Sequence, residues 1–345
     1  MNHTMSLKYI AKKAIRNLSG LTALALLFIS SSNIAARTRP LWNGYIQTRY
    51  TENYRSLSSF ELRRAKLWVK GKAPIQGNWF YKVQAIFRQK SSGNLTMQDF
   101  YAEYRYHTYV FRMGQMVPDF SLQRRQPDYV IPVLERAAAI NNLIPTAESG
   151  ARDIGIMAEW HSSDRNFTAS AGMFNGNGSN TLHNEDRRFL FTHRLTADFS
   201  LPDHIKAHLG YSLAYRNTTG LSFKRIFGNN AVFKGDDFRW GVETRIAFPD
   251  GEIQSEYLEA HLGSRKAWAY YLLTDYKLLL RNQIVFSMEK FCDLNPVSND
   301  QPWYIVGWNH YFAGNQAKLM LDTRAQFANG SNNYQTIIQL QLMFL

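Results

Sequence analysis

From Tyr334 the chain alternates to its end, with Tyr334, Thr336, Ile338, Leu340, Leu342 and Phe344 interleaved by Gln335, Ile337, Gln339, Gln341 and Met343. In a strand these two sets face opposite ways. One set is largely aromatic and apolar and the other carries glutamines, which predicts lipid on one side and water on the other, as in the closing strand of a membrane barrel. The same period-two character recurs in about sixteen segments: 41–50, 59–70, 78–89, 97–106, 109–115, 151–160, 166–174, 187–199, 204–216, 237–248, 251–262, 265–276, 281–291, 303–312, 316–327 and 335–345. Each is near the roughly 10 residues that a tilted strand needs to cross a bilayer. The chain therefore reads as all-β, a transmembrane antiparallel barrel.

The connections agree with that pattern, because an outer-membrane barrel has short turns on one rim and long loops on the other. Short turns are expected at His107-Thr108, Leu201-Pro202-Asp203, Pro249-Asp250-Gly251 and Ala313-Gly314-Asn315, with longer polar stretches at 175–186, 217–236, 292–302 and 328–334. Gly263-Ser264 is the exception, short where a long loop is due. The segment 116–150 has no alternation and contains Pro118, Pro127, Pro132 and Pro145. It is far longer than an ordinary connection, and loops of that size are commonly functional. Its apolar stretch from Val130 to Ile140 would sit badly in bulk water, so the loop is expected to fold into the barrel and narrow it.

The N-terminus has a different pattern. Lys8, Lys12, Lys13 and Arg16 precede an apolar run from Leu21 to Ile29 and a small-residue site at Ala35-Ala36, the form of a secretory signal peptide cleaved near Ala36. The apolar run is too short to span a membrane as a helix. The expected organisation is a leader over 1–36 and one barrel domain over 37–345, with 116–150 as its constriction loop, in the outer membrane of a Gram-negative bacterium.

Removing the leader takes four of the 40 Lys and Arg and none of the 27 Asp and Glu, leaving a net charge of +9. A basic exported chain points to small anions and to anionic membrane lipids or lipopolysaccharide as partners. Nucleic acid is not expected, since the cations are spread among strands rather than gathered in a run or finger motif. Cys292 is the single cysteine and provides no internal disulfide.

Parity assigns the charges to one face. Arg64, Lys66, Trp68 and Lys70 alternate with Ala65, Leu67 and Val69; Lys82, Gln84 and Arg88 oppose Tyr81, Val83, Ala85 and Phe87; Asp99, Tyr101, Glu103 and Arg105 oppose Phe100, Ala102, Tyr104 and Tyr106. A Lys or Arg facing lipid at midplane costs roughly 2–4 kcal/mol, so the charged face should be the lumen. Arg63, Arg64 and Lys66, with Arg124, Arg125 and Arg136 from the long loop, form a candidate anion site in which arginine forks replace an ion's water shell. Lys82, Arg88, Arg105, Arg194, Arg239 and Arg245 are secondary lumen cations. The plainer alternative is solvated charge balanced by Asp99, Glu103, Glu243 and Glu256.

Arg63-Arg-Ala-Lys-Leu-Trp-Val-Lys-Gly71, Tyr81-Lys-Val-Gln84, Asp99-Phe-Tyr-Ala-Glu-Tyr-Arg105, Arg112-Met-Gly-Gln115 with Phe120-Ser-Leu122, Glu135-Arg136, Arg152-Asp-Ile-Gly155, Phe174-Asn-Gly176 and Gly307-Trp-Asn309 follow one another in an order that resembles the phosphate-selective porins O and P. The resemblance implies a homotrimer of sixteen-stranded barrels with the third extracellular loop folded inside. It also implies a constriction made by Arg63 and Arg64, Asp99, Ser121 and Arg136.

Catalysis is not expected. The nine histidines form no H-E-x-x-H, and neither a G-x-S-x-G elbow nor a glycine-rich phosphate loop is present. Glu259, His261 and Ser264 are explained as rim residues, and no metal or cofactor is called for. The expected function is a passive, anion-preferring channel for phosphate or similar small anions. The alternatives are a non-selective diffusion pore and a plugged structural or adhesive barrel.

Overall fold

The computed structural model describes residues 40–344 apart from 56, 89–93, 182, 185, 280 and 329–331. The leader predicted over 1–36, Leu345 and the side chain of Arg88 lie outside the described residues. Sixteen strands close into one antiparallel barrel in which each pairs with its sequence neighbours and the first pairs with the last. They are β1 Leu41–Asn53, β2 Leu57–Lys72, β3 Trp79–Arg88, β4 Asn94–Tyr106, β5 Tyr109–Met116, β6 Asp153–His161, β7 Phe167–Phe174, β8 Leu190–Ser200, β9 Lys206–Ser222, β10 Val232–Phe248, β11 Gly251–Leu262, β12 Arg265–Leu279, β13 Asn282–Cys292, β14 Trp303–Ala313, β15 Ala317–Gln326 and β16 Asn333–Phe344.

The closing strand behaves as its alternation predicts. Tyr334, Ile338, Leu340, Leu342 and Phe344 are exposed on the outside, while Ile337, Gln339 and Gln341 are buried inside. At the seam Gly44 pairs with Phe344, and a Cβ at Gly44 would collide with the Phe344 ring and the Lys66 carbonyl. The absent side chain lets the last aromatic lie against the first strand.

One connection is shorter than its polarity suggests. Most of 217–236 continues β9 and β10 as a projecting hairpin, leaving only 223–231 between them. Gly263-Ser264 is a tight turn joining β11 to β12, with Gly263 at φ +61°.

The long loop leaves β5, enters the barrel and returns at β6. Ile131, Val133, Ala137, Ile140, Leu143 and Ile144 share a core with Leu258, Ala260, Ala267, Ala269, Tyr271 and Val285 of the wall. The inward positions of β11 and β12 that face this part of the loop, Leu258, Ala260, Leu262, Ala267, Ala269 and Tyr271, are thus apolar or aromatic, whereas Gln254, Glu256 and Asp275 further along the same faces are polar. The small Ala260, Ala267 and Ala269 make room for the short helix Ala138–Leu143, and each Leu- or Ile-sized chain buried there contributes about 1.5–3 kcal/mol. Polar anchors fix the same face: Asp322 accepts the Leu134 N–H at 3.1 Å, Glu289 the Ala138 N–H at 2.9 Å, and Asn309 donates to the Pro132 carbonyl at 2.8 Å.

Candidate functional site: a basic cavity between wall and loop

The site begins with a break in the pairing of β1 with β2. Gln47 pairs with Arg64 and the next residue, Thr48, pairs with Leu62, so Arg63 is an extra residue in a β-bulge. A bulge re-aims side chains, and here it lets two consecutive arginines reach inward. Arg63 Nε lies 2.5 Å from Glu135 Oε1 and Arg64 Nη2 lies 2.7 Å from Glu135 Oε2. A second irregularity, where Val83 pairs with Phe100 and Ala85 with Met97, leaves the adjacent Gln98 and Asp99 both buried. Gln98 accepts from Gln84 at 2.7 Å, and Asp99 accepts from Lys82 at 2.6 Å and from Arg152 at 2.7 Å.

The loop supplies the opposing side. Its helix Leu122–Arg125 is capped by Ser121, whose Oγ accepts the Arg124 N–H at 3.2 Å, and by Glu256, which accepts the N–H groups of Leu122 and Gln123 at 3.1 and 2.7 Å. Arg136 is buried and binds the carbonyls of Gln123 and Gln126 together with the Asp128 carboxylate, so it staples the loop to itself. Asp128 also contacts Lys66 and accepts the Tyr45 hydroxyl at 3.2 Å. Burial pushes the Asp128 carboxyl up, but Arg136, Lys66 and Arg64 outweigh it and hold it well below the usual range. At Glu135 burial is likewise overcome, by Arg64, Arg63 and Arg49.

Between wall and loop lies a cavity of about 440 Å³. Among the described residues its lining carries nine cations, Lys66, Lys70, Lys82, Arg105, Arg112, Arg124, Arg125, Arg136 and Arg152, against three carboxylates, Asp99, Glu103 and Asp128. Its positive character is therefore a property of composition as well as of placement. Lys70 and Arg124 have no carboxylate within 4 Å among the described residues. Arg124 Nη2 donates to the Ala151 carbonyl at 3.0 Å, and its Nε is buried with no hydrogen-bond partner. Burial pushes its guanidinium below the ordinary value, and Arg152 and Arg136 act in the same direction. Arginine does not lose its proton in proteins, so the result is a fixed cation with no carboxylate in contact, offset only in part by the more distant Asp128 and Asp99.

The chain matches the family model of the phosphate-selective porins O and P over residues 35–322. It belongs to that family. Its barrel is similar to solved outer-membrane porins: OmpT of Vibrio cholerae in a trimer form, at 13% identity and TM-score 0.59 over 89% of this chain and 99% of that one; OmpF of Salmonella typhi, at 11% and 0.63 over 88% and 97%; and a mutant porin of Rh. blastica, at 11% and 0.58 over 89% and 100%. No curated protein matches it. The chain is thus an outer-membrane porin, and family and fold point to a channel rather than an enzyme.

The expected site residues divide once placed. Lys66, Asp99, Arg124, Arg125 and Arg136 line this porin's cavity, as do the secondary cations Lys82 and Arg105. Arg63 and Arg64 stand beside it, held by Glu135. Ser121 does not join them: it is a buried helix cap whose N–H donates to Ser212 Oγ at 3.2 Å on β9. Arg194 and Arg239 are also away from the cavity. Arg194 pairs with Glu243 under the loop, and Arg239 binds Asp237 and the carbonyls of Leu143 and Ile144, both at 2.9 Å. Arg245 pairs with Glu252 at 3.4 Å across the short β10–β11 turn.

Four polar participants were not assigned by parity, namely Arg112, Arg152, Asp128 and Glu135. Arg112 does alternate with outward Phe111 and Met113, a signal that was present in the sequence. The balancing carboxylates for the Arg63, Arg64, Lys66 and Arg136 cluster are the loop's own Asp128 and Glu135, rather than Asp99, Glu103, Glu243 and Glu256. Glu259 departs from lumen parity. On the barrel's outer side it accepts from Trp240, Tyr257, His261 and Lys266, a network that meets its hydrogen-bonding needs without Ser264.

Proposed function

We propose that this porin is a passive, anion-preferring channel through which phosphate or similar small anions move by exchange among the cations of the cavity. The observation that carries this is the nine-to-three excess of cations over carboxylates in the lining. One cation attracts a monovalent anion at 4 Å by about 1 kcal/mol in bulk water and about 4 kcal/mol at an effective dielectric of 20. A narrow passage between wall and loop therefore makes the surplus effective. Arg124 and Lys70 are the strongest candidates for contact with the ion, because no carboxylate competes for them. Lys66 and Arg136 share Asp128, and Lys82 and Arg152 share Asp99, so each group keeps a net positive charge and contributes additional donors, while Arg125 is balanced by Asp119 and Glu159.

A homotrimeric assembly, export by the 1–36 leader and contact with lipopolysaccharide belong to the same proposal. The trimer form of the Vibrio cholerae OmpT supports the first. The direct test is block of chloride current through purified protein in a planar bilayer by added inorganic phosphate, weakened by Arg124→Ala. Chloride current indifferent to phosphate would remove the binding site from the proposal.

The pairing of Asp128 and Glu135 with the arginine cluster favours a second reading, a general diffusion pore without an ion site. Unchanged anion selectivity and unchanged phosphate block after Arg64→Ala and Arg136→Ala would support it.

A further inference from the structure

The cavity has a second chemistry that inorganic phosphate does not use. Trp68 of β2 and Tyr129 of the loop stack at 5.8 Å between ring centroids and 8° between planes, and Tyr45 closes on both at 6.2 and 5.8 Å. All three rings line the cavity. Trp68 is 8% exposed, and its indole N–H has no hydrogen bond within the protein among the described residues. Lys66 and Lys70, on the same face of β2, and Lys82 on β3 place ammonium groups in the same cavity as the rings.

A free phosphate is compact and polar all round, and it gains nothing from an apolar ring surface. A phosphate joined to an organic body with a flat face uses both halves of the lining. Its anionic end meets the cations, and its body meets the rings and the unpaired N–H. At about 440 Å³ the cavity also falls within the roughly 300–1,000 Å³ range typical of sites for small organic ligands.

We infer that the preferred ligand of this cavity is a sugar phosphate or a closely similar phosphate monoester, bound through the Trp68–Tyr129 pair as well as through the basic lining. This rests on the anion-channel reading and names its substrate class. A purely structural role for the rings, in which Tyr129 only pins the loop to the wall, is the competing account.

Block of chloride current in a planar bilayer by inorganic phosphate, glucose 6-phosphate and glucose separates these accounts. The ester should block at a concentration about tenfold below phosphate, as a stacking contribution near 1.4 kcal/mol gives, with glucose ineffective. Trp68→Leu and Tyr129→Leu should each bring the ester to the level of phosphate while phosphate block persists. Tyr129→Leu, in the loop, carries the test if the wall variant fails to assemble. Equal block by ester and phosphate in the unaltered protein would overturn the inference and leave the anion channel standing. Failure of both to block would overturn the inference and remove the anion-binding site it rests on, leaving anion selectivity to the zero-current potential, and a Tyr129→Leu channel losing phosphate and ester block in parallel would assign the rings to loop anchoring alone.

Discussion

Arg64 of β2 and Glu135 of the inserted loop are joined across 71 residues of sequence by a 2.7 Å contact. Glu135 simultaneously holds Arg63 at 2.5 Å and Arg49 at 2.8 Å, so one carboxylate neutralises part of a three-arginine group. Replacing it by Gln keeps the shape and removes the charge. The anion-to-cation permeability ratio should rise about fivefold, as ~1 kcal/mol of released attraction gives, measured from the zero-current potential in a salt gradient. An unchanged ratio would mean that Glu135 lies outside the ion's reach.

The same carboxylates set an acid limit. Asp128 and Glu135 are held below their ordinary values of about 3.9 and 4.3, so their contribution is fully present above those values and is lost only as pH falls through the lower folded ones. Loop anchoring at these two points should therefore be constant from neutral pH to about pH 4. Open-channel noise recorded against pH checks this, with excess fluctuation expected only in more acid solution. Onset near pH 6 that disappears in Asp128→Asn or Glu135→Gln would contradict the assignment.

Arg124 and Arg239 should respond oppositely. Arg124 lacks a carboxylate partner and Arg239, 2% exposed, is fully engaged with Asp237 and the loop carbonyls. Arg239→Ala leaves Asp237 with only Arg216 and frees the end of the Ala138–Leu143 helix, a loss of about 3–5 kcal/mol seen in the denaturation midpoint. Arg124→Ala should leave that midpoint almost unchanged and reduce phosphate block severalfold.

Orientation of the closing strand is testable separately. Leu340 is exposed on the outside and Gln341 is buried inside. Leu340→Lys should destabilise the barrel by about 2–4 kcal/mol in lipid, whereas the same change at a solvated rim position should be near neutral. Equilibrium unfolding from vesicles measures the difference.

Much of the barrel was legible because lipid enforces parity. Strands such as β11, 251–262 as predicted and Gly251–Leu262 as observed, carry their limits in their alternation. What lies above the bilayer carries no such demand, and so the polar continuation of β9 and β10 looked like a loop. The bulge was hidden for a related reason. Arg63 and Arg64 fall on opposite parities in sequence, and only the slip against Gln47 and Thr48 lets both meet Glu135. Inside the long loop there is no period to read, so Asp128 and Glu135 could not be separated from solvent-facing acids. Ser121 was drawn into the site by its motif, yet the capping geometry of the helix that follows places it on Ser212 instead.

The central claim is that the surplus of cations in the cavity selects anions. The zero-current potential of the purified porin in a planar bilayer, under a tenfold potassium chloride gradient, tests it most directly. The account predicts a potential of the sign set by chloride, with chloride more permeant than potassium. A potential of the opposite sign, or a folded protein that inserts and passes no current, would contradict it.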